Sequence, residues 1–262
     1  MSLSASRIAQ LSERLDDAAR TRRTVPKLTD EEPELSLADA YKVQWSLRER
    51  RLSVGRKLTG LKMGLTSLAK MKQMGVATPI YGFLLDEYCV PADAELAASE
   101  LIHPRIEPEI ALVTRSALQG PGCTIASALA AIDCVVPAIE VIDSRYTDFK
   151  FDLPSVIADN ASSARYVVGA SARRAEELDL RTLGVVVEKN GTGVAFGAGA
   201  SVLGHPALSL AMLANLLAAR EEVIPAGTYV MTGGLTEAIA AQAGDHFVAR
   251  FQALGSVSIR FN

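Results

Sequence analysis

Apolar and polar positions alternate with period two in Arg105-Ile106-Glu107-Pro108-Glu109-Ile110-Ala111-Leu112-Val113, and the pattern predicts a β-strand. Residues 135–143 form an almost continuous apolar run instead, as expected of a strand buried on both faces. Earlier in the chain, Ile8, Leu11, Leu15 and Ala18 recur at helical spacing with charges between them, which predicts a helix over 4–22. A polar connector runs from Pro26 to Pro33. Ser36-Leu37-Ala38-Asp39 then resembles a capping box with Asp in place of Glu, opening a second helix through about Leu52. Trp45, the only tryptophan, lies within it and reads as core or interface packing. Further on, Asn190-Gly191 joins two alternating arms over 184–196, a hairpin signal. Pro206 starts a Leu-rich helix to about Glu222, and strands are predicted at 228–232, 245–251 and 256–261.

The first strand carries the most informative chemistry. Residues i and i+2 of a strand share a face and lie about 7 Å apart, so Glu107 and Glu109 stand side by side next to apolar positions. Like charges that close repel, and burial raises the cost. Pro108 also permits a solvated edge strand, where the problem would not arise. Glu140 sits mid-run in the second apolar segment, where an unpaired charge is rarely tolerated. If the two strands are neighbours, Glu107, Glu109 and Glu140 form an open three-carboxylate site suited to Mg²⁺ or Mn²⁺. An internal salt bridge to a lysine or arginine is the other reading of Glu140.

Composition narrows the classes. The 262 residues are 49% apolar and 22% charged with a net charge of −3, an ordinary globular balance. No basic block interleaves with aromatics, so a nucleic-acid partner is not expected. No apolar stretch reaches the roughly 18 residues of a membrane span, and Met1 to Arg7 open a helix rather than a signal peptide. Cys89, Cys123 and Cys134 lack metal-type spacing, which suits reduced thiols in the cytoplasm.

Lys62, in the small apolar stretch Gly60-Leu61-Lys62-Met63-Gly64-Leu65-Thr66-Ser67, is a candidate reactive group. Desolvation would lower its pKa, whereas a strand-end lysine could snorkel to water. The Met-rich segment 69–82, containing Met71, Met74 and Ile80, suits an adaptable lid over a small ligand. Gly197-Ala198-Gly199-Ala200 departs from the dinucleotide fingerprint, and its glycines suit turns or close backbone approach. His103, His205 and His246 are scattered singly and read as structural.

Several stretches occur in one order: Lys62-Met63-Gly64-Leu65-Thr66-Ser67, residues 79–86, Arg105 to Glu109, Ile139-Glu140-Val141-Ile142-Asp143-Ser144-Arg145, and Ile157-Ala158-Asp159-Asn160-Ala161-Ser162-Ser163. With Met231-Thr232-Gly233-Gly234 and Leu254-Gly255 they span nearly the whole chain. Together they resemble the hydratase/decarboxylase branch of the fumarylacetoacetate hydrolase-like superfamily. The resemblance implies an α+β fold, with an N-terminal helical region (1–55) and a mixed, curled β-sheet core (56–262). It implies Mg²⁺ or Mn²⁺ on Glu107, Glu109 and Glu140, with Lys62 and Asp86 catalytic and Thr66, Ser162 and Thr232 at the substrate.

Within the branch, residues 70–76, Pro79-Ile80-Tyr81-Gly82, and residues 149–153 leading to Ser162-Ser163-Ala164-Arg165 side with the decarboxylases of 2-oxo-3-hexenedioate in meta-cleavage degradation of aromatic compounds. The sister hydratases of 2-hydroxypenta-2,4-dienoate usually carry an acid where Ile80 stands; hydration is the alternative. A non-catalytic partner subunit is a third reading, against which Lys62 and the three glutamates argue. The implied partners are a small 2-oxo dicarboxylic acid and, as assemblies, a hetero-oligomer with the hydratase or a homo-oligomer.

Overall fold

The computed structural model describes residues 2–262, without the side chains of Gln73 and Met74. Helices α1 (Ala5–Thr21) and α2 (Leu37–Ser53) come first, close to their predicted spans. Ser4 and Ser36 cap them by accepting from the amides of Arg7 and Asp39. The capping box does not close. Asp39 is one methylene shorter than glutamate, and its carboxylate meets the Ser36 and Ser2 hydroxyls, the Leu3 amide and the Lys42 ammonium. The polar connector is also less polar in place than its sequence, since Leu28 is fully buried.

The strands that follow are β1 (Leu58–Gly64), β2 (Ile80–Leu85), β3 (Cys89–Val90), β4 (Glu95–Leu96), β5 (Arg105–Thr114), β6 (Ile132–Ile142) and β7 (Ser163–Val168). Helices α3 (Leu68–Met74), α4 (Ile125–Ala131) and α5 (Leu153–Ala158) lie among them. The predicted hairpin is β8 (Gly184–Lys189) and β9 (Thr192–Ala198), turning through Asn190 and Gly191 at positive φ. Then come α6 (Pro206–Ala218), β10 (Tyr229–Met231), β11 (Ile239–Ala240), β12 (His246–Phe251) and β13 (Gly255–Phe261).

A mixed eight-stranded sheet runs β2-β1-β10-β5-β6-β7-β3, with β11 beside β5; a five-stranded sheet runs β4-β13-β12-β8-β9. The two apolar strands of the sequence, β5 and β6, are central and antiparallel. Their register sets Glu107 opposite Glu140, Glu109 opposite Ala138 and Arg105 opposite Ile142. Helix α6 stops at Ala218, short of Glu222, and buries Leu210, Leu213 and Leu217 in the main core. Contrary to the sequence reading, Gly199–Ala218 is long and apolar enough for a membrane span by composition. Only 13 of its residues form α6, roughly 20 Å of helix against a hydrocarbon core of roughly 30 Å. A core position explains the apolarity.

Helices α1 and α2 bury Leu11, Leu15, Ala40 and Val43 in a second core together with Ile80, Tyr146, Val156, Ile157 and Ala161. That core lies directly behind the pocket described next. The three cysteines are free thiols.

Candidate active site

A cavity of about 510 Å³ opens beside β1, β5 and the end of β6. Its wall includes Lys62, Thr66, Lys70, Glu107 and Ser162, with Ile80, Ile142, Phe149, Phe151 and Val156 as an apolar side. At its base, carboxylate oxygens of Glu107, Glu109 and Glu140 lie within 4.8 Å of one another, and all three residues are buried. Cross-strand pairing of β5 with β6 produces this convergence, which the sequence could specify only if the strands were neighbours.

The cluster is short of positive charge and of donors. Glu109 accepts one hydrogen bond, from the Gly233 amide at 2.7 Å, and its Oε1 has no partner among the described residues. Among the described residues Glu140 has no hydrogen-bond partner on either oxygen, although Lys62 Nζ stands 3.1 Å from its Oε2 as an ion pair. Lys70 of α3 reaches Glu107 at 3.0 Å. Burial, followed by the Glu140 charge, holds the Glu109 carboxyl well above the usual carboxylate range. Burial also raises Glu140, against the pull of Lys62. Three buried carboxylates, two of them with oxygens unpartnered among the described residues, and no nitrogen or sulfur donor in the cluster fit a hard divalent cation such as Mg²⁺ or Mn²⁺.

Lys62 sits mid-strand, paired with Gly82 on one side and Met231 on the other, and it is buried. It therefore does not snorkel. The expected fall in its pKa is also reversed. Burial disfavours the ammonium, but the carboxylates of Glu140, Glu107 and Glu109 together outweigh it and raise the pKa. The ammonium also donates to the Ala161 carbonyl at 3.0 Å.

That carbonyl is presented by a feature the sequence did not reveal. Asn160, Ala161 and Ser162 follow one another at φ 51°, 50° and 59°, a left-handed run that costs roughly 1–3 kcal/mol per non-glycine residue. The surroundings hold it in place. Arg145 grips the Asp159 side chain and backbone. The Asn160 side chain accepts from the Phe83 amide at 2.8 Å and donates to the Phe83 carbonyl at 2.9 Å, pairing with edge strand β2 as a neighbouring strand would. Gly82 is needed there, because a Cβ would come within 2.6 Å of Asn160 Oδ1. Ser162 lines the cavity with a buried Oγ that has no partner among the described residues.

Two expected site residues lie elsewhere. Asp86 is exposed at the far end of β2, where its carboxylate accepts from the amides of Lys57 and Glu87 and stabilises a turn. The six-residue strand carries it away from the pocket. Thr232 is buried outside the cavity, its hydroxyl donating to the Ile110 carbonyl at 2.7 Å; its neighbours Gly233 and Gly234 are the residues that meet the cluster. The expected lid, 69–82, begins as helix α3, which turns Lys70 to the pocket while Met71 is buried. Ile80 lines the wall, and the Met74 side chain lies outside the described residues. The histidines are structural where their partners are clear: His205 caps α6, and His103 meets the Ser144 carbonyl at 2.7 Å.

Comparison with known proteins bears on this geometry. A family model described as fumarylacetoacetate (FAA) hydrolase C-terminal matches residues 73–262. The 4-oxalocrotonate decarboxylase of Pseudomonas putida is 56% identical over 259 residues, covering 99% of this chain and 98% of its own. A solved 4-oxalocrotonate decarboxylase from Pseudomonas putida G7, complexed with magnesium and adipate, superposes with a TM-score of 0.98 at 55% identity, covering 100% of this chain and 99% of that one. A 2-hydroxypent-2,4-dienoate hydratase of Pseudomonas putida is 42% identical over 211 residues, covering 80% of this chain and 95% of its own.

Proposed function

The chain belongs to the fumarylacetoacetate hydrolase family, and within it we propose a divalent-metal-dependent carboxy-lyase that converts 2-oxo-3-hexenedioate to 2-hydroxypenta-2,4-dienoate and carbon dioxide. The observation that carries this reading is the convergence of Glu107, Glu109 and Glu140 beside buried Lys62, in a pocket with an apolar wall. The greater likeness to decarboxylases than to hydratases supports decarboxylation over hydration.

In this reaction the bond to the distal carboxylate breaks, and its electron pair moves through the conjugated chain to the ketone oxygen. Carbon dioxide leaves and the oxygen takes up a proton. Magnesium or manganese, held by Glu107, Glu109 and Glu140, would supply Lewis-acid stabilisation of the 2-oxo acid. Lys62 has three N–H donors; one is committed to Ala161 and one faces Glu140, which leaves one for the developing oxyanion. Thr66 and Ser162 offer hydroxyls at the wall for orienting the substrate. Ile80, Ile142, Phe151 and Val156 keep water from the departing carboxylate and so oppose hydration.

The product is the dienoate that a hydratase consumes. This supports a cytoplasmic place in meta-cleavage catabolism, with a dienoate hydratase as hetero-oligomer partner. The test is to incubate the purified protein and Mg²⁺ with 2-oxo-3-hexenedioate and, separately, with 2-hydroxypenta-2,4-dienoate. Carbon dioxide from the first without hydration of the second is expected. Rapid 4-hydroxy-2-oxopentanoate formation from the second, with no carbon dioxide from the first, would make the protein a hydratase.

A further inference from the structure

Arg105 stands one pleat outward from the carboxylate cluster, on the same face of β5 as Glu107 and Glu109. The other cations around the pocket are engaged. Lys62 pairs with Glu140, Lys70 with Glu107, and Lys150, 81% exposed, lies 3.3 Å from Asp148. Among the described residues, the Arg105 guanidinium has no carboxylate or hydrogen-bond acceptor. It lies instead over the Phe149 ring, 4.3 Å from its centroid, where it lines the cavity.

Phe149 is itself held in an unusual state. Its φ is 59°, a left-handed conformation rare for a bulky side chain. Its ring lies between those of His103, at 5.0 Å, and Phe151, at 5.8 Å. An aromatic brace therefore holds a planar cation at the pocket wall with its donors unused. Guanidinium forks suit carboxylates, and stacking on an aromatic face reduces the freedom lost when one binds.

We propose that Arg105 is a specificity-determining residue that receives the distal carboxylate of a dicarboxylic substrate whose 2-oxo acid end lies at the glutamate cluster. The proposal rests on the substrate class inferred above. One pleat repeat is roughly 7 Å, the scale separating the ends of an extended six-carbon diacid. Holding the distal carboxylate would also fix the torsion of the bond that breaks, so that it stays aligned with the conjugated system. A monocarboxylate would leave Arg105 unused.

The test is calorimetric binding of two unreactive probes, adipate and pentanoate, to the Mg²⁺-loaded full chain. Arg105→Leu is expected to weaken adipate by about tenfold or more, as for loss of a charged hydrogen bond, with pentanoate and Mg²⁺ affinities unchanged. Arg105→Lys should recover part of the adipate affinity. Phe149→Leu, which keeps the charge but removes the brace, should weaken adipate alone by a smaller factor. Unchanged adipate binding in Arg105→Leu would overturn the proposal, as would equal losses for adipate and pentanoate. Because neither probe reacts, the result stands apart from whether the protein decarboxylates or hydrates.

Discussion

Glu109 and Glu140 are poor core residues, and their placement makes sense only with a cation. Both are fully buried, and neither has all its oxygens satisfied. Replacing one charge with a neutral isostere should relieve repulsion in the metal-free protein. We expect Glu109→Gln to raise metal-free stability by about 1–3 kcal/mol while weakening Mn²⁺ by about 100-fold or more, beyond the usual cost of losing an outer-shell partner. Thermal melts and calorimetry read the two effects separately. A variant that loses stability and keeps its Mn²⁺ affinity would show the cluster to be structural. Lys62 is the complement. Lys62→Met should reduce carbon dioxide release by about 100-fold or more, the scale for a positioned oxyanion donor, and near-normal turnover would leave it only a counter-ion to Glu140.

At the scale of elements, the pocket depends on how an exposed sheet edge is closed. Strand β2 is one edge of the eight-stranded sheet, and Asn160 covers its outward backbone groups at Phe83, while Gln44 of α2 donates to Tyr81 and Ile157 carbonyls at 2.9 Å. Asn160→Ala would leave the buried Phe83 amide and carbonyl unpaired, which should cost about 2–4 kcal/mol. It should also release the Ala161 carbonyl from Lys62, lowering turnover. Faster amide exchange at Phe83 is the specific signature; a uniform loss of protection would mean only general destabilisation. This support was invisible in the sequence, because nothing in Asp159-Asn160-Ala161-Ser162 signals three successive left-handed residues. The strands β5 and β6, the 190–191 turn and both N-terminal helices were legible, since each is dictated by local periodicity or turn chemistry. Asp86 and Thr232 went astray for a related reason. Proximity to a site motif along the chain says nothing about which way a strand end or a buried hydroxyl faces, and both made backbone hydrogen bonds instead.

For the whole molecule, the N-terminal helices are part of what shapes the site, because their core continues through Ile80 and Ala161 to the pocket wall. Asp39 fastens this region at its start, joining α2 to Ser2 and Leu3 at the head of the chain. Its hydrogen bond with Lys42, aided by those donors and opposed by burial, holds its carboxyl far below the ordinary 3.8. The unfolded chain therefore takes up this proton before the folded chain does as the pH falls. The stabilisation is complete above about pH 4 and is lost progressively below it. Asp39→Asn keeps the shape of the side chain but removes the charge, and at pH 7 it should cost about 1–2 kcal/mol. Melting temperatures of both proteins across the acid range decide the matter. The gap should hold steady from pH 7 to about pH 4 and narrow below it, as the unfolded wild-type chain takes up the proton that the folded chain still refuses. A gap that stays constant down to pH 3 would mean that the substitution acts through packing, and that the charge does not anchor the helices.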